Sequence, residues 1–272
     1  MNYFDEETLY PVERKQKSPI QISPVFGAMV GVTAIAGYLN YLGGIPMPFR
    51  TLVFMLFVIG GWLISLSLHE FGHALVAYWG GDKSVVHKGY LTLDPFKYTH
   101  ATYSIVLPLL YLAMGGIGLP GGAVYINMDA IKSKAKRSLT SAAGPAATAL
   151  CALALLSPFI LRVSRIEMYR HSDFWAGIAL LAFLQLTGLL FNLLPIPGLD
   201  GWGILETVLP ESTVYSARLM GRFSLLIILV IFMGNNPVSR GFWQWVMFAG
   251  SKFGLNFALV GEGLRLFQFW RP

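Results

Sequence analysis

Residues 51–79 read TLVFMLFVIGGWLISLSLHEFGHALVAYW, a run in which Glu70 is the only acid and no lysine or arginine occurs. As a helix it would be about 44 Å long at about 1.5 Å per residue, well beyond the roughly 30 Å of bilayer hydrocarbon. The run therefore reads as a transmembrane helix that tilts or protrudes. An ionisable group at the bilayer centre costs about 2.5–3.5 kcal/mol or more, so such groups face protein or a water-filled cavity. Glu70, with His69 beside it and His73 one turn on, requires a surrounding of that kind.

Six further apolar segments accompany this one, at 24–43, 101–119, 139–161, 174–194, 215–234 and 242–260. The chain has 272 residues, 55% hydrophobic and only 12% charged, against about a quarter charged in soluble domains. An ordinary soluble fold is excluded. The runs lack the alternation of outer-membrane strands, and open sheet edges are not viable in lipid. The expected class is an all-α polytopic membrane protein with about six transmembrane helices. A net charge of +6 does not imply a nucleic-acid partner, because the basic residues sit between apolar runs as membrane topology requires. The lipid bilayer is the expected surrounding. Cys151 is the single cysteine, which excludes an intrachain disulfide. Residues 1–23 lack the basic start and apolar core of a signal peptide and are expected to form a polar cytoplasmic tail. Residues 24–272 form one membrane domain.

His69-Glu70-Phe71-Gly72-His73 has the His-Glu-x-x-His form. At i and i+4 on a helix, both imidazoles reach one metal ion and the glutamate projects beside it. With five histidines and eight glutamates in the chain, chance would produce the pattern in about 0.003 of such sequences. A catalytic zinc takes three protein ligands and leaves one position open. His87, His100 and His171 lie in polar stretches. Asp200 is the better third ligand: it follows Pro195 and Pro197 in NLLPIPGLDG, residues 192–201, where prolines break the helix and the freed backbone groups must line a cavity or be buried. The competing reading is an Asp-Gly turn.

For Asp200 to reach the depth of His69 and His73, segments 101–119 and 139–161 cannot both be complete spans. The weaker is 101–119, with Pro108 inside it and GGIGLPGG at 115–122. It is expected to be re-entrant, followed by a short β-hairpin. Gly122, Ala123, Val124, Tyr125 and Ile126 would then offer an edge strand to an extended peptide substrate. With that topology, fourteen of the twenty Lys and Arg fall on the side where 51–79 ends and five on the other, with Lys252 inside the last segment. The positive-inside rule makes the first side cytoplasmic, which puts both termini and the metal site there.

These residues carry a resemblance. The chain resembles the site-2 protease family of intramembrane zinc metalloproteases, through His69-Glu70-Phe71-Gly72-His73, through the Asn-x-x-Pro-x-Pro-x-x-Asp-Gly pattern at 192–201, and through a softer Gly144-Pro145 element between them. Together these frame a catalytic core of about 51–205. Two positions depart from the family pattern: Thr148 stands where Asn is frequent, and Trp202 where a second Gly is. The resemblance implies one Zn2+ per chain, held by His69, His73 and Asp200, with Glu70 as the base. It also implies cleavage of a peptide bond in or near a transmembrane segment of a membrane-protein substrate. Asn192 is carried over as a contact to the substrate backbone or oxyanion. The chain looks like a minimal form, without a peptide-binding insert or an appended nucleotide-sensing domain. The alternative is a membrane metal-binding or transport protein without hydrolase activity. Such a protein has no need of an unliganded carboxylate beside an open metal position.

Overall fold

The structure, a computed structural model, describes residues 18–97, 124–221, 223, 228 and 236–269. Ten helices are built among them: α1 Pro24–Leu42, α2 Phe49–Gly80, α3 Ser84–His87, α4 Lys134–Ile160, α5 Arg165–Arg170, α6 Ser172–Asn192, α7 Asp200–Leu205, α8 Glu211–Gly221, α9 Pro237–Lys252 and α10 Phe257–Phe267. No strand occurs among the described residues. Four of the helices, α1, α2, α4 and α6, are long and apolar enough to cross a membrane.

Their boundaries follow local chemistry. Ser23 caps α1, its hydroxyl accepting from the Phe26 amide at 3.0 Å with Pro24 in the first turn, where a missing N–H costs nothing. Ser133 caps α4 in the same way. Pro145 and Pro158 lie inside α4, and Pro145 is buried against its neighbours.

In lipid, helices associate through close packing rather than through exclusion of water. The core is accordingly built where small and large residues interlock: Ala176, Ala179 and Leu180 of α6, Phe54, Phe57 and Val58 of α2, and Ala152 and Leu156 of α4. The most enclosed span is α6, whereas α1 is largely exposed. At one end of the bundle Arg50 donates to both carboxylate oxygens of Asp173 at 2.6 and 2.7 Å, tying α2 to α6. At the same end His171 stacks on Tyr41 at 3.8 Å. The C-terminal ends of α2 and α6 and the start of α4 meet at the opposite end.

Segment 101–119, expected to be re-entrant, lies outside the described residues. Its described flanks lie at one end: Lys97 lies by Gly89, just past α2, and the Val124 amide donates to Glu70 of α2 at 3.2 Å. Residues 124–127 are irregular rather than strand, because their polar groups are held by side chains. Asp82 accepts from the Asn127 amide at 2.8 Å, and Lys88 donates to the Tyr125 carbonyl.

Of the last two expected spans, one is described in part and the other differs from the expectation. Of 215–234, only the part within α8 and residues 223 and 228 is described. Segment 242–260 is two helices rather than one. Gly254, with φ +74, turns the chain after α9, and the Asn256 side chain accepts from the Ala258 and Leu259 amides to start α10. A β-carbon at Gly263 would meet the Ala176 carbonyl at 2.6 Å, so α10 lies on the first turns of α6. Glu262 and Arg265 are within electrostatic reach of Arg50 and Asp173. This places α10 at the end away from His69 and His73, whereas the sequence reading put the C-terminal end beside them.

Candidate metal centre

The helical repeat brings His69 and His73 to one face of α2, their Nε2 atoms 3.1 Å apart. The third group arrives by a chain break. After α6 ends at Asn192, Pro195, Pro197 and Gly198, with φ +98, turn the backbone, and α7 restarts with Asp200 as its first residue. Gly201 is needed there, since a β-carbon would collide with the Leu193 carbonyl. Asp200 Oδ1 lies 3.2 Å from His73 Nε2, and Oδ2 lies 3.3 Å from His69 Nε2.

Those spacings match a metal site. Zinc binds nitrogen and oxygen at about 2.0–2.1 Å, which at tetrahedral angles separates ligand atoms by about 3.3–3.4 Å. The donor set of two imidazoles and a carboxylate is one that zinc takes. Among the described residues this is the one cluster of three such side chains.

The far side of each ring is fixed by α4. His73 Nδ1 donates to the Thr140 carbonyl at 2.7 Å; a carbonyl only accepts, so the lone pair of that ring is on Nε2, the atom turned to the cluster. His69 Nδ1 bonds Thr148 Oγ1 at 2.8 Å. Thr148, a departure from the family pattern, thus supplies the ring's outer partner. Gly144 lets α4 come this close: a β-carbon there would fall on His73 Nε2 and lie 2.6 Å from His69 Nε2. Gly72 of α2 faces Ala143 in the same way: a β-carbon there would lie 2.8 Å from the Ala143 carbonyl.

Glu70 is 3% exposed and opens, with the three clustered residues, on a cavity of about 300 Å³. Asn192, Val124 and Ile126 also line this cavity. Tyr125 is exposed to solvent, and Gly122 and Ala123 lie outside the described residues. His171 belongs to the opposite end, His87 is exposed on α3, and His100 lies outside the described residues. Glu206 accepts from Trp202 Nε1 at 3.1 Å. The sequence assigned no role to Thr140, Thr148, Ser141 or Gln185; two had a signal, Thr148 as the departure from the family pattern and Gln185 as a carboxamide inside an apolar run.

A helical membrane bundle that buries His-Glu-x-x-His against a distant aspartate defines a class, the membrane-embedded zinc metalloproteases. No family model matches the chain, and no solved structure matches it. Similarity to curated proteins is extensive. The chain is 42% identical over 260 residues to Rip2 of Mycobacterium tuberculosis H37Rv, covering 95% of this chain and 98% of that one. It is 40% identical over 258 residues to Rip2 of Mycolicibacterium smegmatis, covering 94% and 97%. To YwhC of Bacillus subtilis it is 30% identical over 177 residues, 63% of this chain and 77% of YwhC. All three carry the name "Putative zinc metalloprotease". The chain belongs to this family of zinc metalloproteases: it is a membrane protein and a hydrolase, and its metal is zinc.

Proposed function

We propose that the protein cleaves a peptide bond within or close to a transmembrane segment of another membrane protein. One observation carries this reading: two imidazoles, a carboxylate and the buried Glu70 converge on one cavity inside a bundle of membrane-length helices. His69, His73 and Asp200 are the zinc ligands. Zinc held there would supply an acidified water and a Lewis acid for the scissile carbonyl. Glu70 takes a proton on its carboxylate from the attacking water and passes it to the leaving amide nitrogen. Asn192 contacts the substrate backbone or the oxyanion.

A helical substrate hides its carbonyls in hydrogen bonds, so a short stretch must unwind before attack. Residues 122–126 hold that stretch in extended form, with Val124 and Ile126 facing the cavity. Segment 101–119 is re-entrant, a reading supported by flanks that lie at one end of the bundle. The metal end and the N-terminal tail face the cytoplasm, on the basic residues clustered at 14–17, 83–97 and 132–137.

The test is purified protein with a single-span model substrate, the products mapped by mass spectrometry. The expected result is a cut in or beside the apolar segment by wild type and none by Glu70→Gln, which keeps its zinc. Cuts confined to soluble loops, or undiminished cleavage by Glu70→Gln, would refute the proposal.

A further inference from the structure

The cavity continues past the metal cluster. On α2 it reaches from His73 back to Trp62, and on α6 from Asn192 back to Gln185. Gln185, Gly188 and Asn192 occupy positions i, i+3 and i+7, one face of α6, and all three line the cavity. Gln185 is 5% exposed. Among the described residues its carboxamide has no hydrogen-bond partner, and it is not among the polar atoms sealed from solvent; it faces the cavity. Facing the cavity, the amide is open to water or to a substrate group, and the neighbouring side chains are engaged elsewhere. The Ser65 hydroxyl already donates to Gly61 and the Thr148 hydroxyl is held by His69, while Trp62, Leu66 and Leu184 are largely apolar walls. A carboxamide presents one acceptor and two donors, which is the complement of an unwound peptide backbone.

From this we infer that Gln185 is a second substrate-backbone contact, gripping the extended segment deeper in the membrane than Asn192 does. The inference rests on the intramembrane cleavage proposed above. Asn192 and Gln185 are seven residues apart, about 10.5 Å along the helix. An extended strand rises about 3.3 Å per residue, so the two side chains address substrate residues about three positions apart. The unwound stretch therefore runs along α6, toward the interior of the bundle, rather than crossing it.

Two measurements test this. The first is cysteine capture in the full-length chain carrying Cys151→Ala and Glu70→Gln, with Asn192→Cys or Gln185→Cys added and single cysteines scanned through the model substrate. Both positions should form disulfides with the substrate, at sites offset by about three residues. Capture at 192 without capture at 185, or at an unrelated offset, overturns the inference and leaves the cleavage reading standing; capture at neither overturns both. The second is kinetic. Gln185→Leu with Glu70 intact should keep wild-type zinc content and thermal midpoint while KM rises roughly three- to tenfold, and Gln185→Asn should recover part of the loss. An unchanged KM, or a lowered midpoint with a change in kcat alone, would assign Gln185 a packing role and contradict the inference.

Discussion

Replacing Gly144 by alanine tests the architecture of the site with one added methyl group. Its β-carbon would fall on His73 Nε2 and 2.6 Å from His69 Nε2, whereas non-bonded atoms settle at about 3.5–4.0 Å. The rings or α4 must therefore retreat by about an ångström or more. Metal sites tolerate ligand displacements of about 0.2 Å, and a retreat of α4 would also strain the bonds from Nδ1 of His73 to Thr140 and of His69 to Thr148. Loss of outer partners alone weakens zinc binding about 10–100-fold, so Gly144→Ala should exceed about 100-fold. Overpacking should add a stability cost of about 1–3 kcal/mol. The control is Gly188→Ala, which lines the same cavity with nothing within 4 Å of the added carbon. Zinc per chain by mass spectrometry, metal competition titration and thermal midpoint are the assays. Gly188→Ala should bind zinc as wild type does. Gly144→Ala binding zinc with wild-type affinity would refute the close approach of α4 to the ligands.

Thr148→Val keeps the shape and removes the partner of His69 Nδ1, so zinc affinity should fall about tenfold, measured by chelator competition. Asp173→Asn leaves Arg50 half-satisfied at the far end of the bundle; the thermal midpoint should fall, by the equivalent of about 1–3 kcal/mol, with zinc content unchanged. Chelation should abolish cleavage and lower the thermal midpoint, because zinc binds the folded state; readdition of zinc should restore both. Gly72→Ala, meeting the Ala143 carbonyl at 2.8 Å, should also lower zinc content, though less than Gly144→Ala, since it separates the helices without touching a ligand.

The spans and the cluster were legible because each rests on a strong local signal. The apolar runs at 24–43, 51–79, 139–161 and 174–194 became helices with ends shifted by a few residues, as hydropathy fixes a span but capping fixes its ends. The His-Glu-x-x-His repeat and the proline break before Asp200 brought the expected residues together. The partners supplied by α4 were not legible. Thr140 acts through its backbone carbonyl, which carries no residue signature, whereas Gly144-Pro145 does read as a close helix contact that lets 139–161 approach the metal helix, as it does. The division of 242–260 had a signal that hydropathy overrode: Gly254 followed by Asn256 is a helix stop followed by a helix start. The placement of α10 on α6 is tertiary packing, and the linear charge count gave no hint of it.

On this reading of the site, His69, His73 and Asp200 grip one zinc ion. Zinc K-edge absorption on the purified chain, with metal stoichiometry, tests it directly. Expected is one zinc per chain with two imidazole nitrogens and a carboxylate oxygen at about 2.0–2.2 Å, and stoichiometry falling toward zero in folded His73→Ala and Asp200→Ala. An unchanged spectrum and full zinc content in Asp200→Ala would contradict it.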